Sequence, residues 1–145
     1  MGTGFRKRSC STKRLADCAT LAPGPGCARR SVQKLRRRGA FDFPVLGVAA
    51  YVNEVSTGSG SDRVVEVRDA KIVLGGIAPS PIQVLEAGEA LIGKELNDDQ
   101  IQAAAEACYV RARPLDNTDF VMNWRKQMTR EYTLRALEDV RTQRR

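Results

Sequence analysis

The chain has 145 residues, a formal net charge of +7, four cysteines and no histidine. That length allows one domain, burying roughly two thirds of its unfolded surface around a single core, so these residues are not themselves a two-domain enzyme. Without histidine no Ser-His or Cys-His nucleophilic arrangement can be built from them, and Cys10, Cys18 and Cys27 fall at intervals that match neither paired zinc ligands nor iron–sulfur patterns, so no metal site is expected.

The charge is unevenly spread. Residues 1–38 hold eleven of the 24 Lys and Arg and one of the 17 Asp and Glu, which leaves the remainder slightly acidic. The sequence therefore reads as a basic leader on an ordinary domain, and the overall charge says little about what the domain binds. No apolar run approaches the roughly twenty residues needed to cross a bilayer. The leader also lacks the apolar stretch of a secretory signal, so a cytoplasmic location is the expectation.

In chain order, residues 1–30 show no sustained helical or strand period and include the Pro-Gly-rich APGPG, which predicts a disordered leader. Within residues 31–43, SVQKLRRRGAFDF, Lys34 to Arg38 read from the residues alone as a solvated charge run before a strand. Pro44 permits a strand start, and 45–51 is a short Val- and Ala-rich strand. The Gly- and Ser-dense loop 53–62 has hairpin character. A second strand follows over 63–67, with Val65 and Val67 on one face, then a tight turn at Asp69 and a third strand over 70–77. Gly75 and Gly76 permit positive φ, a bulge or the close approach of another backbone, and Pro79 and Pro81 end the pairing.

Three helices follow. The first carries Val84, Leu85, Ala87, Leu91 and Ile92 as a buried stripe, with Gly93 at the left-handed cap position; its start lies at Ser80-Pro81 or after Gln83. Asn97 caps the second, with Asp98 and Asp99 facing the positive dipole end and Gln100 as capping-box partner, and this helix runs to about Arg111 before Pro114. Adjacent acids point about 100° apart on a helix, so Asp98 and Asp99 form no general acid–base pair. Cys108 is a small buried hydrophobe. The last helix, capped by Asn117 or Thr118, presents Phe120, Val121, Trp124, Met128, Tyr132, Leu134, Leu137 and Val140 to the core. Arg125, Lys126, Arg130 and Arg135 fall mostly on its other side, and the final Arg pair frays. The fold class is α+β: a three- to four-stranded antiparallel sheet, most simply a meander, packed against about three helices.

The string LGGIAPSPIQVLEAGEALIGKEL resembles the C-terminal domain of the FAD-containing medium subunits of molybdenum hydroxylases, the family of carbon monoxide dehydrogenase and xanthine dehydrogenase. KLRRRGAFDFPVLGVAAYV upstream, and NDDQIQAAAEA, the Arg-Pro-Leu-Asp turn and LRALEDV downstream, follow in the family's order over about 31–140. The resemblance implies two units, a leader (1–30) and the domain (31–145). The leader is open to three readings: an electrostatic arm for nucleic acid, an organellar presequence, or a segment unrelated to the domain. The resemblance favours the last, and with it a chain that is a fragment of a longer subunit.

By resemblance the parent subunit holds FAD, its partners hold the molybdenum cofactor and 2Fe-2S clusters, and electrons pass from those clusters through flavin to an external acceptor. The domain is implied to lie against the FAD-binding domain as a lid, without tight FAD binding or turnover of its own and with no catalytic residue. Lys34 and Asp42 match the positions that lie near the flavin ring in xanthine dehydrogenase-like subunits, while Phe41 replaces the first acid of that pair. The alternative function is a standalone interaction module whose leader binds nucleic acid or an acidic partner. Phe5 is the leader's one aromatic residue, so stacking on single strands has no platform there and a nucleic-acid partner is not favoured.

Overall fold

A computed structural model describes residues 26–37, 43–57, 64–115 and 120–143. Four strands, β1 (Cys27–Leu35), β2 (Leu46–Thr57), β3 (Val64–Gly75) and β4 (Ile82–Gln83), form one antiparallel sheet in the order β1-β2-β3-β4. Three helices follow, α1 (Leu85–Glu89), α2 (Asp98–Arg111) and α3 (Met122–Thr142). The architecture is the α+β meander that the sequence implies. The expectations placed on residues 1–25, on Phe41 and Asp42, on most of the hairpin loop, on Asn117 and Thr118 and on the last Arg pair lie outside the described residues. Among those described, no helix is long and apolar enough to cross a membrane.

β2 is the central strand, and its alternation decides which face is covered. Leu46, Val48, Ala50, Val52 and Glu54 are buried, and the residues between them are half-buried. On the covered face these meet Ile72 and Leu74 of β3, Val84, Ala87 and Leu91 around α1, Ile101, Ala104 and Cys108 of α2, and Ala136, Leu137 and Val140 of α3. Among the described residues the other face bears no helix.

Several expectations are corrected here. Cys27–Arg30, expected in a disordered leader, and Ser31–Leu35 together form the edge strand β1, paired along its length with β2, so the exposed Lys34 lies within a strand and not in a run that precedes the first one. The alternation is hard to see because cations occupy both faces: Arg29 points inward to Glu54, whereas Arg30 and Lys34 are exposed. Charged side chains on an edge strand also discourage pairing with another chain. Nor does Asp69 start a turn. β3 is continuous, with a bulge that pairs Asn53 with Asp69 and Glu54 with Val67, leaving Arg68 as the extra residue. The bulge shifts the phase by one, so Val67 and Ala70, three apart, are both buried. Beside it, Val67 accepts from the Gly93 N–H (2.8 Å) and donates to Lys94 O (2.9 Å), fastening the turn after α1 to β3.

α1 is shorter than its apolar string suggests. Val84, Ala87 and Leu91 are buried, but Leu85 and Ile92 are exposed. Gly88 lets the helix rest on the sheet, since a Cβ there would meet Ala70 O at 2.6 Å. Gly93 has φ +74°, the conformation its cap role requires. Asn97 occupies the cap of α2 in an extended conformation, without the expected side-chain hydrogen bond. Val121 precedes α3 as its cap residue, without a side-chain hydrogen bond. The buried stripe of α3 runs through Arg125, Thr129, Thr133, Ala136, Leu137 and Val140. Met128, Tyr132 and Leu134 pack partly buried at its border, and Trp124 stacks on Phe120 with ring centroids 4.8 Å apart.

Candidate functional site

Three chain segments converge where β1 ends, β2 begins and β3 ends. Val45 N–H donates to Leu35 O at 2.9 Å, closing the β1–β2 connection beside Lys34. Gly76 follows with φ +77°, and a Cβ there would meet Val45 O at 3.0 Å, so this glycine serves both a left-handed backbone and a close approach. Arg125 of α3, 5% exposed, holds the junction together. Its Nη1 donates to Leu115 O at 2.9 Å, and its Nη2 donates to Val45 O at 3.2 Å and to Gly76 O. The sequence reading placed this arginine on the outer side of the last helix. That is corrected: the guanidinium fork satisfies carbonyls from three segments at once, which an aliphatic side chain cannot do.

Lys34 lies at this end of β1, exposed, on the open face of the sheet. In register it opposes Gly47 of β2, which in turn opposes Gly75 of β3. Among the described residues its ammonium has no carboxylate within ion-pair distance, whereas Lys71, farther along the same face, pairs with Asp69 at 3.7 Å and lies 6.0 Å from the Tyr51 ring centroid. Asp42, the other predicted site residue, lies outside the described residues. Apolar side chains fringe the same junction: Phe43 is 92% exposed, Leu115 56% and Val121 68%. A separate groove of about 500 Å³ beside α2 is lined by Glu86, Glu106, Arg111, Arg113, Ala103, Ala107 and Val110, charges of both signs with no nucleophile among them.

Residues 30–140 match the family model of the CO dehydrogenase flavoprotein C-terminal domain. The chain belongs to that family. A curated relative, the glyceraldehyde dehydrogenase medium chain of Sulfolobus acidocaldarius, is 27% identical over 111 residues, covering 77% of this chain and 37% of its own. Among solved structures, carbon monoxide dehydrogenase from Hydrogenophaga pseudoflava is similar with a TM-score of 0.65 at 26% identity, over 85% of this chain and 39% of that one. Quinoline 2-oxidoreductase from Pseudomonas putida 86 shares the fold with a TM-score of 0.66 at 20% identity, over 79% of this chain and 37% of that one. The chain thus spans well under half the length of the relatives it matches.

Within this CO dehydrogenase flavoprotein C-terminal domain, the described residues hold no group of three or more metal-ligating side chains. Nor is Cys108 a nucleophile. Burial pushes its thiol up from 9.0 to about 12, Glu86 adds to the rise, and a side-chain hydrogen bond with Thr133 opposes it. Alkylation at pH 8 with peptide mapping by mass spectrometry should leave Cys108 unmodified in the folded chain and label it after unfolding in urea. The sign for stability follows. The unfolded chain releases this proton above about 9 and the folded one holds it to about 12, so stability present below pH 9 is lost progressively as pH rises through that window.

Proposed function

We propose that this chain is the C-terminal domain, a fragment, of an FAD-containing subunit that passes electrons from 2Fe-2S clusters through flavin to an external acceptor in a cytoplasmic molybdenum hydroxylase complex. Its partners are then the FAD-binding domain and the subunits that carry the molybdenum cofactor and the iron–sulfur clusters. Residues 31–145 are the domain in this reading, with Cys27–Arg30 of the leader supplying the start of its edge strand β1. The observation that carries the reading is the placement of Lys34, an ammonium without an ion-pair partner among the described residues, on an open sheet face at the junction clamped by Arg125. The exposed Phe43, Leu115 and Val121 around that junction support a surface that another domain covers.

The chemistry of the residues present suits the group. Bound flavin supplies two-electron redox chemistry whose potential depends on charge near its N1 and C2=O edge. Lys34 contributes a cation to that edge and favours the electron-rich, reduced form. Asp42 is the second residue assigned to the flavin's surroundings by position in the sequence. Arg125 acts at a distance from the ring, by fixing the backbone on which Lys34 is mounted. Tight binding is assigned to the remainder of the subunit, so the chain alone is expected to hold neither FAD nor activity.

Fusing the complete chain to the part of the S. acidocaldarius medium chain outside the matched segment allows a direct test. Lys34→Gln in that fusion is expected to lower the flavin midpoint potential by roughly 20–40 mV, the equivalent of about 1–2 kcal/mol for a partly screened charge. A potential that does not move would remove Lys34 from the flavin site.

A further inference from the structure

Two glycines, Gly47 second in β2 and Gly75 last in β3, stand side by side for no reason that the described residues supply. Gly47 and Gly75 pair across β2 and β3, and Lys34 completes the row on β1. Their neighbours Leu46, Val48 and Leu74 are buried inward, so all three address the face without helices. Glycine inside a strand loses more conformational freedom than other residues and packs nothing, which calls for a cause. Positive φ is not that cause, since it occurs at Gly76 and Gly93 instead. A bulge is not either, because the register shift lies at Asn53/Glu54. Crowding is excluded as well. A Cβ at Gly75 would meet nothing within 4 Å, and one at Gly47 would meet only Gly75 O at 4.0 Å, in contrast with Gly88 and its 2.6 Å contact.

The space those Cβ atoms would fill is therefore left open by every described residue. We infer that the Gly47–Gly75 pair is a floor for a planar fused ring, the flavin of the proposed function, with Lys34 at the ring's edge; this rests on that reading. The row crosses three strands, about 10 Å at the usual spacing, which suits a three-ring system lying flat. Its one ionisable side chain sits at an end, where it meets the ring's edge and leaves the floor uncharged. The adjacent row of Val32, Ala49 and Val73 is apolar and Val32 is 61% exposed, which extends the floor with a surface that desolvates readily. A partner strand, by contrast, would add at a sheet edge, where unpaired N–H and C=O groups are offered, and not over the middle of a face.

Gly47→Ala and Gly75→Val test this in opposite directions. In the complete chain alone, added side chains meet open space and suit a strand, so the melting temperature should stay level or rise by a few degrees. In the fusion with the S. acidocaldarius remainder, the FAD dissociation constant should rise, by roughly tenfold for Gly75→Val and less for Gly47→Ala, with a shift of the visible flavin absorption bands. Unchanged affinity and spectrum, in a wild-type fusion that holds FAD, would overturn the floor while leaving the proposed function standing. Loss of stability in the chain alone, parallel to the loss of FAD, would make the glycines structural and also overturn it. A wild-type fusion that fails to retain FAD would sink both.

Discussion

Arg125→Met is expected to destabilise the domain by about 3 kcal/mol, because part-buried, charge-assisted hydrogen bonds to the carbonyls of Val45, Gly76 and Leu115, from three separate segments, are lost together. Methionine fills much of the aliphatic volume, so the loss reports on the guanidinium more than on a cavity. The side chain is 5% exposed and no carboxylate pairs with it among the described residues, where the carbonyl dipoles are what make its burial tolerable. Arg125→Lys should recover less than half of the loss, since one ammonium cannot reach three carbonyls in the geometry of a fork. Urea unfolding followed through the single tryptophan, Trp124, measures both. Trp124 lies one residue from the clamp and stacks on Phe120, so its emission reports on the same junction. A methionine variant within about 0.5 kcal/mol of the parent would show that the clamp contributes little.

Glu54→Leu is expected to cost a further large amount, about 3–5 kcal/mol, at the opposite end of the same face. Glu54 and Arg29 form an ion pair across β2 and β1 with side chains only 3% and 12% exposed. Removing the carboxylate leaves a guanidinium in a low-dielectric site whose Nε already lacks a partner. Exchanging both residues for leucine should recover much of the loss, because burial of the remaining charge is then relieved. A double-mutant cycle on the complete chain separates the pair's coupling from the single losses. Additive single losses would contradict a pair that stabilises through mutual contact.

These two residues also mark where reading the chain by pattern stops. Signals that act over a few residues were legible: the alternation that buries Leu46, Val48 and Ala50, the Asn97-Asp98-Asp99 start of α2 and the Gly93 cap each encode their structure locally. β1 was not legible, since an edge strand with inward Arg29 and outward Arg30 has no apolar period to detect. The single long β3 was hidden by its bulge, because Val67 and Ala70 fall three apart where a regular strand would require two or four. Arg125 escaped because its meaning lies in partners 10, 49 and 80 residues away. Viewed along one helix, an arginine beside a lysine looks like solvated surface. Of the candidate site, Lys34 was reached through family resemblance, and its setting beside Gly47 and Gly75 required the strand register. The glycine doublet at 75–76 hides two different roles, a left-handed turn at Gly76 and an uncrowded strand position at Gly75.

The central claim, a domain that closes the flavin site of a larger subunit, is tested most directly by FAD retention. FAD is titrated into three proteins: the complete chain, the S. acidocaldarius remainder without its matched segment, and the fusion of the two. The chain is expected to bind FAD weakly or not at all and the remainder weakly, while the fusion restores tight binding with the flavin shielded from solvent quenchers. A fusion that binds FAD no better than the remainder alone would contradict it.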